Sequence, residues 1–119
     1  MATITKQFLS ASASTSGKGI KVAATSSAGT TIHQAVSGTT NIDEVWLYAS
    51  NTSDSAVILT IEFGDVGDVQ HNIVTTVAAS STELVVPGLI LQNSLYAKAF
   101  AGTTNVITVF GFVNRLDYS

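Results

Sequence analysis

The chain has 119 residues, 45% of them hydrophobic and only 11% charged, where an average soluble domain carries roughly 25% charged residues. That length fits one compact domain with a real core rather than two. The net charge of −3 and the scatter of Lys6, Lys18, Lys21, Lys98 and Arg115 argue against nucleic acid as a partner, and the lack of cysteine removes disulfides, thiolate nucleophiles and thiolate metal sites.

Residues 1–17 contain LSASASTSG, which is small, polar and aperiodic. They are expected to be an N-terminal arm or tail ahead of a β domain spanning residues 18–119. The opening stretch lacks the charged and continuously apolar regions of a signal peptide, and no apolar run approaches the roughly 20 residues that cross a bilayer. Cytosolic synthesis is therefore expected, with no membrane partner.

From Lys18 onward apolar and polar residues alternate with period two, broken at short intervals by Gly, Ser, Asn and Asp. Strands are predicted over residues 18–24 and 30–36, then over 42–50, IDEVWLYAS, rich in β-branched and aromatic residues. NTSDS at 51–55 reads as a hairpin loop before AVILTIEF at 56–63, where Val57, Leu59, Ile61 and Phe63 point one way and Thr60 and Glu62 the other. Further strands are predicted over 70–77, 83–91, 95–101 and 105–116. Pro87 cannot donate to a ladder, so with Gly88 it marks a bulge or a sheet edge. The last strand, NVITVFGFVNRL, is apolar on both sides, with Ile107, Val109 and Val113 on one face and Val106, Phe110 and Phe112 on the other. No stretch holds helical spacing over three turns. About eight short strands define an all-β chain, an antiparallel β-sandwich of jelly-roll-like form.

The densest chemistry lies in EFGDVGDVQH, residues 62–71, with acids at every third position. Calcium loops place ligands at alternate positions, so this spacing does not match one, and Asp and Gly are also what turns require. It reads as a loop between strands, with Glu62 on the solvent face of its strand. His33 and His71 are far apart with no third ligand, and read as half-exposed strand histidines. No serine sits in a nucleophile motif and no phosphate-binding glycine loop is present. No catalytic residue, cofactor or metal is therefore assigned, and an enzyme is not expected. Asn51-Thr52-Ser53 fits the glycosylation pattern but reads as a loop in a chain without a secretory signal. Trp46 and Tyr48 share one strand face and form a candidate surface pair for stacking on a sugar ring. Val106, Phe110, Phe112 and Leu116 form a candidate oligomer seam.

Three stretches, MATITKQFLSASASTSGKGIKVAAT, TTIHQAVSGTTNIDEVWLYASNTSDSAVILTIEFG and VVPGLILQNSLYAKAFAGTTNVITVFGFVNRL, resemble small virion proteins of tailed bacteriophages, among them capsid decoration (cement) proteins. The resemblance covers nearly the whole chain and rests on texture: small size, no cysteine, few charges and hydroxyl-rich strands. It implies a β-sandwich that forms a homotrimer on the capsid exterior and bridges neighbouring major capsid proteins. Tail and head-fibre components share this texture, and a carbohydrate-binding or receptor-binding sandwich is the alternative carried by Trp46 and Tyr48.

Overall fold

The period-two alternation becomes nine β-strands in a computed structural model, whose described residues are 2–118. These are β1 (Thr3–Phe8), β2 (Ile20–Lys21), β3 (Thr30–Gln34), β4 (Ile42–Asn51), β5 (Val57–Phe63), β6 (Asn72–Val77), β7 (Ser81–Leu91), β8 (Tyr96–Ala101) and β9 (Ile107–Asp117). Short 3-10 helices occupy Ser10–Thr15 and Val69–His71. One sheet runs β1-β9-β4-β7, with β2 also paired to β9, and the other runs β3-β8-β5-β6.

All the pairings are antiparallel, and they nest. Taken as two pieces of one broken edge strand, β1 and β2 pair with β9, β3 with β8, β4 with β7 and β5 with β6. The chain is thus one long hairpin, tipped at β5–β6 and rolled up, with added β4–β9 and β5–β8 ladders closing each sheet. This is the jelly-roll order expected from the strand count, with the ninth strand explained by the break in the edge strand.

The inner faces carry the alternating apolar residues. Val45, Leu47 and Ala49 of β4 and Ile107, Val109 and Val113 of β9 meet Leu59 and Ile61 of β5 and the small Ala99 and Ala101 of β8 in one buried cluster. Burying such side chains contributes about 1.5–3 kcal/mol each for the larger ones.

Four expectations change. The boundary at residue 17 does not hold, because β1 is an edge strand of the first sheet and Leu9 is 1% exposed in the core. A polar, aperiodic composition concealed one apolar anchor between a solvent-facing strand and a 3-10 turn. NTSDS does not close a hairpin within a sheet, since β4 and β5 belong to opposite sheets and the loop carries the chain between them. His33 is not half-exposed but buried, because the β3 register shifts between Thr31 and His33 and turns both Ile32 and His33 inward. Glu62 keeps its outward parity yet is only 1% exposed, because the 25–29 loop folds over it. There Ser27 Oγ donates to Oε2 at 2.5 Å and the Gly29 N–H donates to Oε1 at 2.7 Å. Pro87 behaves as read: it lies on the edge strand β7, beside a bulge where the register passes from Leu89 to Pro87 and leaves Gly88 extra at φ 79°.

Candidate functional site

Two arrangements stand out, one buried and one open. The buried one centres on Asp43, which by parity points inward with Val45 and Leu47 and is fully buried. Its Oδ1 accepts from Arg115 Nε at 2.7 Å, and its Oδ2 accepts from Arg115 Nη2 at 3.0 Å, from the Val36 N–H at 3.1 Å and from His33 Nε2 at 2.8 Å. The other ring nitrogen, His33 Nδ1, accepts the Ser10 N–H at 3.0 Å. With Nδ1 accepting, Nε2 is the ring nitrogen that donates to Asp43. The histidine thus ties the Ser10 turn to β4. The cluster joins the Ser10 turn, β3 of one sheet, and β4 and β9 of the other.

Burial alone would raise the Asp43 pKa. The hydrogen bonds from His33 and Arg115, with the Arg115 charge, outweigh it and hold the carboxyl at about 2, below its ordinary 3.8. A carboxyl depressed in the folded state stabilises the fold above its unfolded pKa and loses that contribution as pH falls through the folded one. Asp43 should thus contribute about 2 kcal/mol at neutral pH, lost between about pH 4 and pH 2. Acid titration of the urea midpoint checks this: in Asp43→Asn the drop over that window should shrink by about that amount.

The open arrangement is the outer face of the first sheet. Register places Trp46 opposite Phe112 and Tyr48 opposite Phe110 on β4 and β9, and Phe8 of β1 opposite Phe112 on the far side. The Trp46 and Phe112 rings lie 10° from parallel with centroids 6.2 Å apart. Trp46 Nε1 donates to Glu44 Oε1 at 2.7 Å, and Asn114 Nδ2 donates to the same oxygen at 3.0 Å. These two bonds, the Trp46 one first, lower the Glu44 pKa from its ordinary value. Lys6 Nζ stands 4.6 Å from the Phe112 ring centroid, a cation–π distance. Around them Ile4, Phe8, Leu84, Ile90 and Phe110 are 43–66% exposed. A shallow groove of about 660 Å³ runs beside Phe112, lined by Lys6, Phe8, Gly17 and Gly111 among others.

Two sets of residues predicted as separate sites therefore form one surface. Phe110, Phe112 and Leu116 share it with Trp46 and Tyr48, since outward positions of paired strands lie side by side. Val106 does not join them: it precedes β9 and packs partly buried against the core. From sequence, Asp43 and Arg115 belong to no site and His33 reads as a half-exposed strand histidine, although an acid at an inward position of an apolar strand signals a buried partner. Asp65 and Asp68 serve the loop as read, accepting from the Val66 and Gln70 N–H groups. The Asn51 side chain is 1% exposed and donates to the Ser55 and Val77 carbonyls, so it is sealed in the fold rather than presented for glycosylation. Among the described residues, no group of three or more His, Cys, Asp and Glu side chains is placed to hold a metal ion.

Comparison with protein-family models, with curated proteins and with solved structures finds no match.

Proposed function

We propose that this chain is a structural virion protein of the capsid-decoration kind, a self-associating jelly-roll body on the exterior of a phage head that bridges neighbouring major capsid proteins. The observation that carries the reading is the open aromatic face of the first sheet. Soluble monomers rarely expose contiguous apolar surface beyond a few hundred Å² unless it is used. A face with few charges suits contacts repeated by symmetry, where modest affinity per copy is multiplied across a shell. The location on a capsid, and the trimer expected there, come from the resemblance in texture described above.

The test is sedimentation of the purified protein with heads of the encoding phage stripped of their decoration layer. Binding should saturate at a fixed ratio to the major capsid protein and raise the temperature at which heads rupture. Failure to bind heads overturns the reading. Phe110→Asp addresses the face itself. Phe110 is 44% exposed, so the fold should tolerate the change, whereas a carboxylate buried in an apolar contact should weaken self-association at least tenfold. Size-exclusion chromatography with light scattering reads that loss, and an unchanged oligomer would place the contact elsewhere.

One observation keeps a second reading, a glycan-binding module: Trp46 and Phe112 form a two-ring ledge beside the polar Glu44 and Asn114. Selective signals on a glycan array that vanish in Trp46→Ala would favour it.

A further inference from the structure

The outer face of the first sheet has an order that its apolar character alone does not require. Outward residues lie in rows across β1, β9 and β4. Ile4–Leu116–Ile42 is aliphatic throughout, Lys6–Asn114–Glu44 runs from cation through amide to acid, and Phe8–Phe112–Trp46 is aromatic throughout. In the next row, Phe110 has Tyr48 on the β4 side, while on the other side Gly19 lies against the Phe110 ring. Among the outward positions of the sheet the charged ones are Lys6, Glu44 and, one row beyond Phe110, Lys21 of β2, which pairs with Thr108 and under the axis described below faces the neutral Ser50.

We infer that this face is self-complementary, and that its partner is a second copy of this chain packed face to face about a twofold axis running along β9. Such an axis exchanges the β1 side of each row with the β4 side while leaving the row in place. Lys6 of each copy then stands over Glu44 of the other, Phe8 over Trp46, Ile4 over Ile42, and Tyr48 over the bare Gly19. A twofold axis across the strands does worse. Set on the charged row, it stacks Lys6 on Lys6 and Glu44 on Glu44; set on the aromatic row, it leaves both charges without a partner. Sheets pack about 10 Å apart, a gap that a lysine and a glutamate can close between them.

The overlap is three strands wide. With β9 at 11 residues it covers roughly 500 Å² in projection before side-chain relief, against about 800 Å² of accessible surface per partner in a standard interface. This size predicts a reversible pair rather than an obligate one. The pair uses the face that carries the proposed function and sets a twofold against the threefold implied by the resemblance, so the oligomer mass tests it separately from head binding.

Sedimentation equilibrium from micromolar to millimolar concentration tests it, using the wild type, Lys6→Glu, Glu44→Lys and the double exchange. The wild type should approach twice the 12.3 kDa monomer mass. Each single exchange opposes like charges and should weaken the pair at least tenfold, and the double exchange should recover most of the loss. Recovery separates pairing between copies from the bond within one copy, because Glu44→Lys removes the Trp46 acceptor with or without the second change. If Glu44→Lys fails to fold, zero-length carbodiimide coupling of mixed light and heavy-isotope protein gives the same answer through a Lys6–Glu44 link between copies. A wild type that stays monomeric, a threefold mass indifferent to the exchanges, or a double exchange as weak as the singles overturns the inference.

Discussion

Asp43→Ala should cost about 3–5 kcal/mol, a large share of the roughly 5–15 kcal/mol that stabilises a domain of this kind. The carboxylate accepts four hydrogen bonds, from Arg115 twice, from His33 and from the Val36 N–H. Its removal strands all of these donors, and the arginine loses its counter-charge where its side chain is 29% exposed. Asp43→Asn keeps the shape but replaces one acceptor oxygen with a donor, so it should cost only somewhat less. Urea denaturation reads the loss as a shifted midpoint with an unchanged slope. In Asp43→Ala/Arg115→Leu the unpaired charge is gone, and the combined loss should fall below the sum of the single losses. Simple additivity would show that the pair does not act as a unit. Because the cluster also holds the Ser10 N–H through His33, the Asp43 variants should loosen the N-terminal segment, seen as faster amide exchange at Ser10 and Gln34.

The sandwich was legible because its strands alternate cleanly. In β4 and β5 parity alone assigns Val45, Leu47, Leu59 and Ile61 to the core, where they are fully buried. Parity failed where the backbone breaks its own period or the chain folds back over a strand. The β3 shift at His33 turned a nominal surface histidine inward, and the 25–29 loop buried Glu62 from the solvent side. Both are long-range or irregular features that no local window contains. The face built by Phe110, Phe112, Trp46 and Tyr48 was visible only as two separate patterns. Joining them requires the β4–β9 register, a pairing between strands some 60 residues apart in sequence.

That register rests on one residue without a side chain, and Gly111→Ala should cost about 2–4 kcal/mol, at or above the usual range for an overpacked site. Gly111 pairs with Leu47 between Phe110 and Phe112. A Cβ there would fall well inside contact distance of the Trp46 carbonyl oxygen, and within 3.2 Å of Leu47 Cα. These obstacles are backbone atoms of β4, which is held on its other side by β7, so no rotamer change relieves the clash. Either β9 moves away from β4 or the ladder slips. Both outcomes separate Phe112 from Trp46 and Phe110 from Tyr48, so self-association should fall together with stability. The emission of Trp46, the single tryptophan, should shift as its neighbours change. Gly102→Ala supplies the control: its Cβ would meet nothing nearer than the Ile58 carbonyl oxygen at 3.9 Å, and it should be neutral within about 0.5 kcal/mol. Equal, small effects at both glycines would mean that β4 and β9 approach less closely than described. The aromatic face would then need a different origin for its alignment.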